Sequence, residues 1–167
     1  MTELPSMVTY INQEIGISIS VPKNWNVEIV NEFQFRIFGE IETGFEEYFD
    51  EYRCTMSYTL AEPDNNRPDW FETLIRESLE EMAQEYNEYQ LISEENCQIA
   101  DRPAYVRYYE WTEENTGLRV SQLQSLIQVD NSDFYLINAA TLKTLEEKYL
   151  PIFNTILHST KITGQVK

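Results

Sequence analysis

The chain opens on period-two alternation. Over 16–21, Ile17, Ile19 and Val21 fall on one side and Ser18 and Ser20 on the other. That is the pattern of a half-buried strand. Tyr10 and Ile11 end a short strand before it, and Pro22, Lys23 and Asn24 form a turn after it. Trp25, Val27 and Ile29 then alternate with Asn26 and Glu28, and Phe33, Phe35 and Ile37 with Gln34 and Arg36. Read along the chain, these segments predict a meander of three short strands, each with one apolar face. Residues 53–60 alternate again, with Cys54, Met56, Tyr58 and Leu60 opposite Arg53, Thr55, Ser57 and Thr59.

The period changes to 3.6 after a polar loop at 62–68. Pro68 and Asp69 suit a helix start. Trp70, Phe71, Leu74, Ile75, Ser78, Leu79, Met82, Ala83 and Tyr86 form one stripe of a helix over 69–86, and its other face is acidic. Residues 90–99 predict a strand, or a strand pair bent at 94–96. A turn at 101–103 leads to a long strand over 104–111. Its faces are Ala104, Val106 and Tyr108 against Tyr105, Arg107, Tyr109 and Trp111. Hairpin loops at 113–117 and 131–133 join it to strands over 118–129 and 134–140. Pro151 predicts that the C-terminal helical region is split into a short helix and a final one. After Ser159 the tail is polar and expected to fray.

This order is not an alternating βαβ pattern. It predicts an α+β fold: a twisted antiparallel sheet with a long amphipathic helix and a C-terminal helix packed on it. No boundary interrupts the 167 residues, so one domain is expected, with a core from about 8 to 161 and short polar termini.

Charge narrows the partners. Twenty-nine acidic residues against 12 basic ones give a net charge of −17. Such a field repels phosphate backbones and anionic membrane surfaces, so neither nucleic acid nor membrane is expected as a partner. A basic protein partner or cations are favoured instead. There is no stretch of the roughly 20 apolar residues a membrane span needs, and no apolar leader segment near Met1. A cytoplasmic protein is the expectation. Cys54 and Cys97 are then expected as free thiols packed like small hydrophobes. The chain has one histidine, His158, near the end of the last helix, where a cation suits the helix dipole. No nucleophile motif, phosphate loop or zinc-ligand set accompanies it. Neither an enzyme nor a cofactor is expected.

The order of the segments carries a further likeness. The opening strands contain Gly16-Ile17-Ser18-Ile19-Ser20-Val21-Pro22 and Trp25, and an amphipathic helix follows. Ala104-Tyr105, Val120-Ser121-Gln122-Leu123-Gln124 and Tyr149-Leu150-Pro151-Ile152-Phe153 come next, running into Leu157-His158-Ser159. This resembles the Mog1/PsbP-like superfamily, including its DcrB-related bacterial domains of unknown function. The likeness implies a sandwich around a twisted antiparallel sheet. It also implies adaptor or chaperone work on other proteins rather than catalysis.

Two candidate sites follow. The face Tyr105, Arg107, Tyr109, Trp111 offers the residue types enriched at interface hot spots, provided no helix covers it. Gln122, Gln124 and Gln128 lie on one side of the next strand, either bordering a groove or buried and satisfied by neighbours. The alternative site is the loop 39–52, where Glu40, Glu42, Glu46, Glu47, Asp50 and Glu51 could serve a small ligand or a divalent cation through carboxylate oxygens.

Overall fold

The computed structural model describes residues 4–64, 66–130 and 132–164. Its elements run β1 (Met7–Asn12), β2 (Ile17–Pro22), β3 (Asn26–Asn31), β4 (Gln34–Phe38), β5 (Thr55–Ala61) and α1 (Trp70–Glu85). They continue with β6 (Gln90–Ile99), β7 (Arg102–Thr112), β8 (Arg119–Gln128), β9 (Phe134–Leu142), α2 (Glu146–His158) and β10 (Lys161–Ile162). Seven strands make one sheet in the order β3-β4-β5-β9-β8-β7-β6, and β1-β2-β10 make a second. All the strand pairs are antiparallel. The fold is thus α+β, as the alternation and helical period predict.

The alternating faces decide what packs where. Phe35, Ile37, Met56, Tyr58, Val106, Leu123 and Ile137 share one face of the large sheet and are buried. The small sheet joins the same cluster through Ile17, Ile19 and Val21, and α2 joins it through Tyr149, Ile152, Phe153, Ile156 and Leu157. Each such side chain contributes about 1.5–3 kcal/mol by leaving water. On the opposite face α1 brings Trp70 and Phe71 against Tyr105, Leu126 and Phe134 in a smaller cluster.

Four expectations change. The segments 16–21 and 25–29 do not belong to one meander, because β2 pairs with β1 and β10 while β3 begins the large sheet. Alternation reports which face of a strand is buried and is silent about its neighbour. Residues 90–99 form one strand, and the irregularity is a register shift between Leu91 and Ser93 rather than a bend at 94–96. Pro151 does not split the last helix. It lies inside α2, preceded by a 3-10 turn over Lys143–Leu145. In the second turn it removes a single backbone bond, while Tyr149, Ile152, Phe153 and Ile156 hold the helix on both sides of it. The tail does not fray at Ser159: Lys161 and Ile162 pair with Ser18 and Ile17, and the Thr163 N–H donates to the Gly16 carbonyl at 2.8 Å.

One glycine is required by close approach. A Cβ at Gly39 would meet Cys54 Sγ at 2.5 Å, with the Trp25 ring 3.5 Å away on the same side. The Gly39 N–H donates to the Cys54 carbonyl at 3.0 Å, so neither chain can back away without losing that bond.

Trp70 anchors α1, with its ring centroid 5.6 Å from that of Phe71 and 5.9 Å from that of Phe134. Trp70→Ala is expected to cost about 3–5 kcal/mol, read as a fall in the urea midpoint with little change in m-value.

Candidate functional site on the sheet face beneath the long helix

Directly opposed residues of antiparallel strands lie on the same face. The registers pair Glu28 with Arg36, Arg36 with Ser57, Ser57 with Asn138, Asn138 with Gln124, Gln124 with Arg107, and Arg107 with Glu94. A single polar row therefore crosses all seven strands on the face that carries α1. On one side the next row runs through Phe38, Thr55, Ala140, Gln122 and Tyr109. On the other it runs through Thr59, Leu136, Leu126 and Tyr105, where α1 finds its apolar seat.

α1 covers the β7 end of these rows. Tyr105, Arg107, Tyr109 and Gln122 are buried, while Trp111 and Gln124 are half-buried. Of the two readings left open for this face, packing beneath a helix is the one observed. α1 thus closes most of this face: Arg107 and Tyr109 are fully buried, Trp111 is half-buried, and Tyr105 meets the surface only where it borders the groove beside β6. Tyr109 stacks at a tilt on Tyr86 and Tyr89, at centroid distances of 5.9 and 5.5 Å. Burial pushes its phenol well above the ordinary value, so it stays neutral.

Arg107 is fully buried, and no carboxylate pairs with it among the described residues. Its Nη2 donates to Ser78 Oγ at 3.1 Å and to Gln124 Oε1, and lies against the Met82 sulfur. Its guanidinium also sits 5.6 Å from the Tyr105 ring centroid. Ser78, the polar break in the α1 stripe, is explained by this contact. Gln124 Nε2 donates onward to Asn138 Oδ1 at 2.8 Å. Trp111 Nε1 donates to Gln122 Oε1 at 3.0 Å, and Gln122 Nε2 donates to the same Asn138 oxygen at 3.3 Å. The glutamine row is therefore satisfied by its neighbours along most of its length, and Gln128 donates to the Asp130 carbonyl at 3.3 Å.

Two grooves flank the covered region. One, of about 430 Å³, lies between α1 and the edge strand β6. Its lining includes the half-buried Ile75 and Leu79, the Tyr105 ring, and Glu72, Glu94 and Glu95. The other, of about 290 Å³, opens over β4, β5 and β9 and is lined by Arg36, Phe38, Thr55, Ser57, Asn138 and Ala140, with Gln122 at its margin. Of the predicted site residues, only Tyr105 and Gln122 border either groove. Arg36, Ser57 and Asn138 escape sequence reading because nothing but register brings them together.

The acidic loop is anchored rather than open. The Glu42 N–H donates to the Tyr52 carbonyl at 2.8 Å, and the Leu142 N–H donates to the Tyr52 hydroxyl at 2.9 Å. The Glu42 carboxylate accepts from Lys148 at 2.5 Å and from the Tyr149 hydroxyl. Among the described residues, no group of three or more His, Cys, Asp or Glu side chains is placed to hold a metal ion. A second ionic cluster joins Glu110 to Lys143 at 2.6 Å and to Arg119 at 3.3 Å, with Lys143 also 2.7 Å from Glu146. The Lys143 ammonium holds the Glu110 carboxyl below the ordinary carboxylate value. Both cysteines are free, and burial pushes the Cys54 thiol up to about 12. His158 is exposed at the end of α2. No helix among the described residues is long and apolar enough to cross a membrane.

No protein-family model matches the sequence, and no curated protein sequence matches it. Solved structures do. LpqN, involved in cell envelope biogenesis of Mycobacterium tuberculosis, is similar at a TM-score of 0.70 and 13% identity, over 95% of this chain and 91% of that one. Cyanobacterial PsbP from Synechocystis is similar at 0.62 and 13%, over 96% and 94%. The Saccharomyces cerevisiae Ran-binding protein Mog1p is similar at 0.60 and 12%, over 96% and 97%. At such identities the likeness concerns the fold, which is Mog1/PsbP-like.

Two outcomes are expected. Tyr109→Ala is expected to lower stability by about 3–5 kcal/mol in chemical denaturation, as for a core ring. Burial alone would raise the Glu42 carboxyl, but the hydrogen bonds from Lys148 and Tyr149 outweigh it and hold it below the ordinary 4.5. A lowered folded-state value adds stability above the unfolded one, lost as pH falls through the folded one. The melting-temperature gap between the native chain and Glu42→Gln should be open near pH ~7 and close below pH ~4.

Proposed function

We propose that this protein is a non-enzymatic adaptor or chaperone that holds a basic segment of a partner protein in the groove between α1 and β6. The observation that carries the reading is the composition of that groove. Ile75, Leu79 and the Tyr105 ring give it an apolar floor, and on its rim the carboxylates Glu72, Glu94 and Glu95 outnumber the one cation, Arg76, so the rim is net anionic. A segment with apolar residues for the floor and Lys or Arg for the rim is complementary in both terms.

The edge strand favours the same partner. β6 ends the large sheet, so its outer backbone groups are available to an added strand. Its exposed Glu94 and Glu95 repel a second copy of the same edge and attract a basic strand. The net charge of −17 would speed encounter with such a partner. Protein recognition on this fold also has a precedent in the Ran-binding Mog1p. Tyr105 would serve through the part of its ring that borders the groove. Arg107, Tyr109 and Trp111 would act from beneath, by fixing α1 in place.

The test is capture at two salt concentrations, followed by mass spectrometry and direct binding of the recovered partner. The native chain should retain a basic partner at low salt and lose most of it near ~0.5 M, where screening is short-ranged. The double variant Glu72→Lys/Glu95→Lys changes exposed residues only, so its melting temperature should hold while binding falls at least tenfold. Equal binding by that variant, or no retained partner at either salt, would remove the proposal.

A further inference from the structure

The groove over β4, β5 and β9 has the opposite polarity from the rest of the molecule. We propose that it is a binding site for a small carboxylic acid, with the carboxylate held by Arg36, Ser57 and Asn138 and a short hydrocarbon body lying on Phe38 and Ala140. This inference does not depend on the partner groove beside β6.

The polarity of the groove follows from which way the side-chain amides of Gln122, Gln124 and Asn138 must point. An indole N–H and a guanidinium are donors only. Trp111 donates to Gln122 Oε1, so Gln122 must turn its NH₂ the other way, and that group donates to Asn138 Oδ1. Arg107 donates to Gln124 Oε1, so Gln124 must likewise present its NH₂, and it too donates to Asn138 Oδ1. Two chains that start from obligate donors thus converge on one oxygen. The direction of each amide is set by chemistry rather than by a choice between similar atoms. Asn138 has its oxygen doubly occupied, and its NH₂ is left for the groove it lines. The buried, unpaired charge of Arg107 heads one of these chains and polarises it toward the same outlet.

The rest of the lining agrees. Arg36 is exposed, and among the described residues it makes no ion pair. Thr55 and Ser57 each bring a hydroxyl to the groove. The site therefore presents a guanidinium, an amide NH₂ and two hydroxyls, with no carboxylate in its lining. A planar anion with two oxygens suits such a set, because a guanidinium binds it with two parallel bonds. Phe38 and Ala140 are half-buried and apolar, which suits a carbon body in place of a bare inorganic ion. The volume, about 290 Å³, lies at the small end of ligand pockets, so the body is short. Glu28 is the cross-strand neighbour of Arg36 and opposes an anion there.

The experiment is titration calorimetry with succinate, N-acetylglutamate and benzoate. Inorganic phosphate is the control for a bare anion, and putrescine for a cation. The Asn138 side-chain NH₂ resonances are followed by NMR in parallel. At least one carboxylate should bind and move those resonances, and putrescine should not. Arg36→Gln, at an exposed position, should weaken binding about tenfold or more with the melting temperature unchanged. Asn138→Asp keeps an oxygen for both glutamines but places a second one in the groove, and should abolish binding. Glu28→Gln should tighten it. The proposal is overturned if no carboxylate binds. Binding that both Arg36→Gln and Asn138→Asp leave intact, or that phosphate matches in affinity, overturns it equally.

Discussion

The arrangement of this protein turns on the cross-strand register of β4, β5, β9, β8 and β7. It lines up Arg36, Ser57, Asn138, Gln124 and Arg107 across one face of the sheet and leaves the other face to aliphatic and aromatic side chains. A one-residue slip in any of these pairings would turn a polar row into the apolar core. The two faces then take different covers. The apolar face receives the small sheet and α2 over a broad area. The polar face gives α1 an apolar seat only near Tyr105, Leu126 and Phe134, so the helix covers part of it and leaves a groove on each flank.

Those grooves differ in sign for a local reason. Beside β6 the carboxylates Glu72, Glu94 and Glu95 outnumber the single Arg76, so that rim is net anionic. Over β5 and β9 the hydrogen bonds issue from donor-only groups and run outward, and their last free atoms are N–H. A buried cation with no carboxylate is costly unless polar groups surround it. Arg107 meets that demand in part: Nη2 donates to Ser78 and Gln124 and two aromatic faces flank the guanidinium, while its Nε and Nη1 are buried without a hydrogen-bond partner. The same contacts that tolerate the charge pass its polarity to Asn138.

Much of the fold was legible in the sequence, and most of the site was not. The α1 stripe from Trp70 to Tyr86 and the alternation of β2, β4, β5 and β7 are local patterns, and the structure has them where the patterns put them. The division into two sheets was not legible, because β2 and β3 alternate alike and only their partners differ. β10 is two residues long and carries no period at all. The row Tyr105, Arg107, Tyr109, Trp111 reads the same whether it meets a partner or a helix of the same chain. The one clue to the helix is Ser78, a polar residue inside an apolar stripe that answers a buried guanidinium. Arg36, Ser57 and Asn138 lie on three different strands, and no spacing along the chain connects them.

The pairing of β5 with β9 joins two strands that lie far apart in the chain. β5 lies mid-sheet, between β4 and β9, yet β9 is made only after α1, β6, β7 and β8. Until then the hairpin of β4 and β5 has an open edge and an uncovered apolar face, and β2 waits longer still for β10. Closing such long loops before their contacts are rewarded slows folding. The acidic loop between β4 and β5, and the acidic helix after β5, keep like charge beside that open edge during synthesis. Like charges repel, so the carboxylates that flank β5 in the sequence oppose edge-to-edge pairing of incomplete chains.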